Sequence, residues 1–280
     1  MFWQTTRFRL DLSRPQVMGI VNVTPDSFSD GGQHADARGA LAHCEQLIKE
    51  GVDILDIGGE STRPGAVILS PDEEWQRLAP VLAEAVKLNV PVSVDTCKPE
   101  VMQRALELGV DIVNDIKALS APGAEQAVAS HSACGICLMH MRGDPTTMQS
   151  QTDYGDVVAE VRGFLAARLA RLRALGVADE RLTLDPGIGF GKTPEQNLAL
   201  LARQAELLSL GLPLLVGWSR KSTLGALTGR PVGERLAASL AAALASVAAG
   251  ARVVRVHDVA ATVDALKVWQ AAGGTLGPAR

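Results

Sequence analysis

The chain has 280 residues, of which 47% are hydrophobic, and a formal net charge of −4, which is enough apolar content to bury a sizeable core in one or two domains. No basic cluster extends beyond Ser219-Arg220-Lys221, so a nucleic-acid partner recognised through a basic face is excluded. The longest apolar stretch, residues 236–251, falls short of the roughly 20 residues of a membrane span. The N-terminus also lacks an apolar secretory segment, so a cytoplasmic protein with no membrane partner is expected.

In chain order, short β-branched runs alternate with Ala/Leu-rich helical stretches. Strands are expected at residues 17–22, 54–57, 91–95, 111–114, 136–140, 182–185, 214–217 and 253–257, and helices at residues 37–49, 73–88, 156–175 and 194–209, among others. Such alternation gives a parallel sheet with helical crossovers. Eight units without a linker favour a single-domain (β/α)8 TIM barrel behind a short N-terminal extension, with an open doubly wound sheet as the alternative. Cys134-Gly135-Ile136-Cys137 has metal or redox spacing, but no second pair completes a zinc site. Buried thiols are the expectation there. Gly191-Lys192-Thr193 ends like a phosphate-binding loop, but Pro186 stands where that motif needs glycine. Thr193-Pro194 reads instead as a helix N-cap followed by proline at the first helical position.

Nearly every strand ends in polar groups: Asn22, Asp56, Asp95, Asn114, His140 and Asp185, then Ser219, and finally Arg255 and His257. Polar residues terminate strands and cap helices anyway. A barrel, however, gathers all these ends on one face, where active sites are built. Two Gly/Pro-rich loops, residues 22–32 and 58–66, are longer than a βα turn requires and have the composition of lids.

These loops carry a family resemblance. Residues 22–32 and 56–65 are similar to the two signatures of the dihydropteroate synthases. Ser93-Val94-Asp95-Thr96, Asn114-Asp115-Ile116, Met139-His140-Met141, residues 185–192, Ser219-Arg220-Lys221-Ser222 and Arg255-Val256-His257-Asp258 follow in the family's order. The resemblance covers about residues 16 to 270 and implies condensation of a dihydropterin diphosphate with p-aminobenzoate. By that resemblance Asp185 holds the pterin edge, with Asn114, Lys221, Asp95 and Met139 around the ring. Asn22, Thr62, Arg63, Arg255 and His257 take the diphosphate. Thr62, Pro64, Phe190 and Ser222 take p-aminobenzoate. Mg2+ is the implied cofactor, with Asn22 as its protein ligand. Asp95, Asp185, Lys221 and Arg63 form the implied catalytic group, on an SN1-like path in which anionic Asp95 and Asp185 face a developing cation.

The runner-up within the fold is a methyltetrahydrofolate-binding methyltransferase domain, and the non-enzyme alternative is a silent pterin-binding paralogue. Residues 236–251 are apolar on nearly every side, with Ser239 and Ser246 the polar members before Arg252. A homodimer through the seventh and eighth helices is therefore expected, unless the chain's own termini shield that helix.

Overall fold

A computed structural model describes residues 1–23, 33–61 and 68–277. Two short strands, β1 (Phe2–Gln4) and β2 (Arg9–Asp11), form an antiparallel hairpin. Strand β3 (Gln16–Asn22) then begins a regular alternation. It is followed by helix α1 (Gln33–Lys49), β4 (Ile54–Gly58), α2 (Pro71–Ala85), β5 (Val92–Asp95), α3 (Pro99–Glu107), β6 (Ile112–Asp115), α4 (Ala124–Ala129) and β7 (Gly135–Met139). The second half runs α5 (Val157–Ala174), β8 (Leu182–Asp185), α6 (Pro194–Ala202), α7 (Gln204–Leu208), β9 (Leu215–Val216), α8 (Ser222–Thr228), α9 (Leu236–Ala248), β10 (Val253–Val256) and α10 (Val259–Ala271).

The strands from β3 onward form one sheet in the order β8-β7-β6-β5-β4-β3-β10-β9, and every pairing in it is parallel. A parallel bridge between Leu184 and Leu214 joins its two ends, and the Leu184 amide donates to the Pro213 carbonyl at 3.0 Å. The expected barrel is therefore closed and the open sheet is ruled out.

Alternation along the strands separates two apolar layers. Outward residues such as Val17, Leu55, Val94, Ile136 and Leu184 pack in the large cluster under the helices. Inward residues Met18, Ile54, Ile112, Cys137, Leu215 and Val253 form a separate cluster with Trp3 and Leu12 of the N-terminal segment. The extension thus plugs the barrel floor. Trp3 Nε1 donates to the Arg181 carbonyl at 2.9 Å, and Arg7 pairs with buried Asp111 at 2.5 Å.

Several helices depart from their expected limits, α1 among them, which begins at Gln33, four residues early. Helix α2 begins at Pro71, two residues early, because Ser70 and Glu73 make a reciprocal capping box. The stretch 194–209 is two helices, broken at Arg203 (φ −108°, ψ 22°). The Arg203 guanidinium is held there by Asp156 at 2.9 Å, and the buried Gln204 amide reaches the Ser246 carbonyl. Helix α9 stops at Ala248 because Gly250 has φ +103°.

Candidate active site

The side chains two positions beyond the inward floor residues build the layer above it. Ile54 is followed by Asp56, Ser93 by Asp95, Ile112 by Asn114, Cys137 by Met139, Thr183 by Asp185 and Val253 by Arg255. All but Asp56 line a cavity of about 800 Å³ at the C-terminal end of the barrel. Asn22 at the end of β3 and His257 just past β10 line it as well, as do Phe190 from the loop after β8 and Lys221 and Ser222 at the start of α8. Expected site residues Thr62, Arg63 and Pro64, with most of the 22–32 loop, lie outside the described residues.

His140 does not join this group. It follows Met139 by one residue, so strand alternation sends it to the opposite face. Its ring sits edge-on to Phe164 of α5, with centroids 5.0 Å apart. Burial lowers its pKa to about 3, and the imidazole is a neutral packing element.

The floor of the cavity is an ion cluster. Arg255 donates through Nε to Asp56 and through Nη2 to Asp95, each at 2.6 Å. Asn114 Nδ2 donates to Asp56 at 3.2 Å, which leaves its carbonyl oxygen as an acceptor. Burial is the largest influence on Asp95 and pushes its carboxyl up to about 7, against the pull of Arg255. The ion pair and the upward direction are compatible, because one guanidinium divided between two carboxylates cannot compensate both. Asp56 is a strand-end residue to which the sequence motifs assign no role. Its position two residues after inward Ile54 was the available signal.

Opposite, Asp185 is buried and accepts the Gly187 amide at 2.7 Å. Burial raises its pKa, with that amide and Lys221 acting against the rise. Burial, with Arg255 next, lowers Lys221 to about 8, and its ammonium lies 4.1 Å from the centre of the Phe190 ring. The loop carrying these groups is tightly wound. Gly187 has φ +70°, and a Cβ there would come within 1.9 Å of the His140 carbonyl oxygen. Lys192 ties the same loop down by donating to the carbonyls of Gly187, Phe190 and His140 at 2.9, 3.0 and 3.3 Å. That lysine is structural, in keeping with the rejected phosphate-loop reading. Met139 packs with Ile116, Met141 and Met148 as an apolar wall, with Phe190 against it.

Among the described residues no group of three His, Cys, Asp or Glu side chains would cage a metal. The exposed amide of Asn22 at the rim offers a single oxygen. Mg2+ usually takes one or two protein oxygens plus waters and substrate phosphates, so this donor set fits an ion carried in by a diphosphate. Cys134 and Cys137 are buried free thiols, and the Cys134 sulfur meets Arg181 Nη2 at 3.0 Å.

A family model described as "Pterin binding enzyme" matches residues 18–257. A dihydropteroate synthase of Neisseria meningitidis serogroup B is 56% identical over 277 residues, covering 97% of each chain. The solved dihydropteroate synthase of Xanthomonas albilineans with 4-aminobenzoic acid superposes with a TM-score of 0.92 at 48% identity, covering 98% of this chain and 100% of that one. The Burkholderia cenocepacia dihydropteroate synthase complexed with 7,8-dihydropteroate gives 0.88 at 50% identity, covering 97% and 96%. The chain belongs to the dihydropteroate synthase family of pterin-binding enzymes.

Proposed function

We propose that this cavity joins 6-hydroxymethyl-7,8-dihydropterin diphosphate to p-aminobenzoate, giving 7,8-dihydropteroate and diphosphate in folate biosynthesis. The observation that carries the reading is buried Asp185 within the electrostatic reach of Lys221, in a cavity that also has an apolar wall including Met139. A carboxylate there accepts the amino and ring N–H donors of a pterin edge, and the ammonium meets its carbonyl. The relatives solved with 4-aminobenzoic acid and with 7,8-dihydropteroate support the same pair of ligands.

In this reading the methylene carbon–oxygen bond breaks and its electron pair leaves on the diphosphate. The arylamine nitrogen forms the new C–N bond and gives up a proton to solvent. Asp95 and Asp185 stabilise positive charge spreading onto the pterin ring, so the path is SN1-like. Asn114 orients the ring, and Phe190 and Ser222 hold p-aminobenzoate, with Thr62 and Pro64 assigned to it by family motif. Asn22, Arg255 and His257 receive the diphosphate, with Thr62 and Arg63 again assigned by motif. Mg2+, held by the Asn22 side-chain oxygen, would neutralise the leaving group's charge. No nucleophilic side chain is required, because a neutral arylamine is reactive once positioned.

Diphosphate release measured with protein, Mg2+ and the pterin diphosphate, with and without p-aminobenzoate, tests the reading. Release that requires the arylamine is expected. Absence of turnover, or release indifferent to the arylamine, overturns it. A methyltetrahydrofolate-binding domain or a silent paralogue would give no such release.

The assembly is proposed to be a homodimer through the seventh and eighth barrel helices, here α8, α9 and α10, supported by exposed Leu227, Leu236 and Val268. A cytoplasmic location is supported by four cysteines that are all free thiols. No helix of the described residues is long and apolar enough to cross a membrane.

A further inference from the structure

The loops after β9 and β10 are cross-linked twice. Arg220, at φ +59°, pairs with Asp258 through two bonds of 2.6 and 3.1 Å. One residue earlier on each side, Ser219 Oγ lies 3.0 Å from His257 Nδ1 and also accepts the His257 backbone N–H at 3.2 Å.

A hydroxyl has one proton and two lone pairs. The backbone N–H of His257 occupies one lone pair. Were Nδ1 protonated, it would take the second, and the hydroxyl proton would have no acceptor among the described residues. Ser219 is only 7% exposed, so an idle donor there is costly. With Nδ1 bare, the hydroxyl donates to it and both contacts between Ser219 and His257 are satisfied.

We infer that Ser219 is a positioning residue that fixes His257 in the tautomer protonated at Nε2, so that the ring offers the diphosphate a neutral hydrogen-bond donor. This rests on the assignment of His257 to the diphosphate made above. The surroundings agree with a neutral ring. Burial lowers the His257 pKa to about 4, with Arg220, Arg255 and Lys221 adding to the fall and Asp258 opposing it. Asp258 is already committed to Arg220. Among the described residues no hydrogen bond engages Nε2, on the far side of the ring from Ser219, and His257 lines the cavity. A tautomer set in advance avoids reorganising the donor when substrate arrives, and orienting a histidine through its other nitrogen is a general device.

The test combines 15N-histidine NMR of the full chain with calorimetry of inorganic diphosphate, on the unaltered protein, Ser219→Ala and Ser219→Thr. His257→Gln identifies the signal among the five histidines. The unaltered protein and Ser219→Thr should show a protonated Nε2 and a bare Nδ1. Ser219→Ala should show a tautomer mixture and bind diphosphate about tenfold more weakly, the scale of one hydrogen bond to a charged group. A proton on Nδ1 in the unaltered protein, or an unchanged tautomer in Ser219→Ala, overturns the inference whatever diphosphate does. A tautomer lost with diphosphate affinity unchanged instead removes His257 from the diphosphate site, and with it the role proposed for Ser219.

Discussion

One guanidinium, that of Arg255, serves Asp56 and Asp95 at once, and this changes what its removal would test. Arg255→Ala weakens diphosphate binding in the functional reading, but it also strands two carboxylates in the barrel. Loss of one partner of a buried ion cluster costs about 3–5 kcal/mol. Chemical denaturation of the variant should show that loss, and an unchanged midpoint would remove Arg255 from the support of the floor. Asp185→Asn is the cleaner probe. Asp185 accepts a single backbone amide, so pterin affinity should collapse while the thermal midpoint stays nearly unchanged. Equal pterin affinity, measured by calorimetry, would remove Asp185 from the ring edge. Asp95 adds a pH signature. Its folded pKa lies above the ordinary 3.8, so the folded chain keeps that proton to higher pH than the unfolded one. The stability so gained is complete below 3.8 and is lost as pH climbs through about 7. Unfolding free energy should therefore fall more steeply between about pH 4 and pH 7 for the unaltered protein than for Asp95→Asn, and parallel slopes would contradict the upward direction. That Asp95, Asn114 and Asp185 line the cavity was legible in the sequence because strand-end position and family motif coincide. The exclusion of His140 was not, because one residue of register decides which face a strand-end side chain takes.

At the level of elements, the N-terminal hairpin shows where sequence patterning loses force. Strands β1 and β2 have three residues each, too short for alternation to announce them. Their role comes from Trp3 and Leu12, which close the apolar floor beneath Met18, Ile54 and Val253. By contrast, the eight barrel strands were legible because each is a short, largely apolar run set between helical stretches. The break at Arg203 was not, since residues on both sides of it keep helical composition and the bend answers to Asp156 and Ser246 on other elements. Trp3 is fully buried, so Trp3→Ala should cost about 3–5 kcal/mol through the cavity it leaves. The apolar plug lies at the N-terminal ends of the strands and the catalytic cavity at their C-terminal ends, so kcat/KM should be unchanged at temperatures where the variant stays folded. A matched fall in kcat/KM would show that the plug shapes the site, which the layered barrel interior does not provide for.

For the whole molecule, the open question is what covers the seventh barrel helix. Helix α9 turns its two serines inward. Ser239 and Ser246 are buried, and their hydroxyls return to the Arg235 and Ala242 carbonyls. Leu236, Ala237, Ala241 and Ala245 are left exposed, an outer face without a polar member where a barrel helix ordinarily meets water. Among the described residues the C-terminal segment meets the far end of the helix, where the Gly277 amide donates to the Val247 carbonyl at 3.5 Å. Exposed Leu227 and Val268 on α8 and α10, which flank α9, extend the apolar surface, and apolar patches of this kind mark interfaces. A two-fold pairing of this face would bury it against itself without using the catalytic cavity, which is lined within one barrel. Light scattering at micromolar concentration should give a dimer mass for the unaltered protein and a monomer mass for Ala241→Glu, in which a charge replaces a methyl group at the centre of the exposed face. Each protomer of the variant should keep its turnover. A monomer before substitution would refute the pairing. A dimer that survives Ala241→Glu would move the interface elsewhere on the barrel. Loss of activity with dissociation would mean that one subunit supports the site of the other.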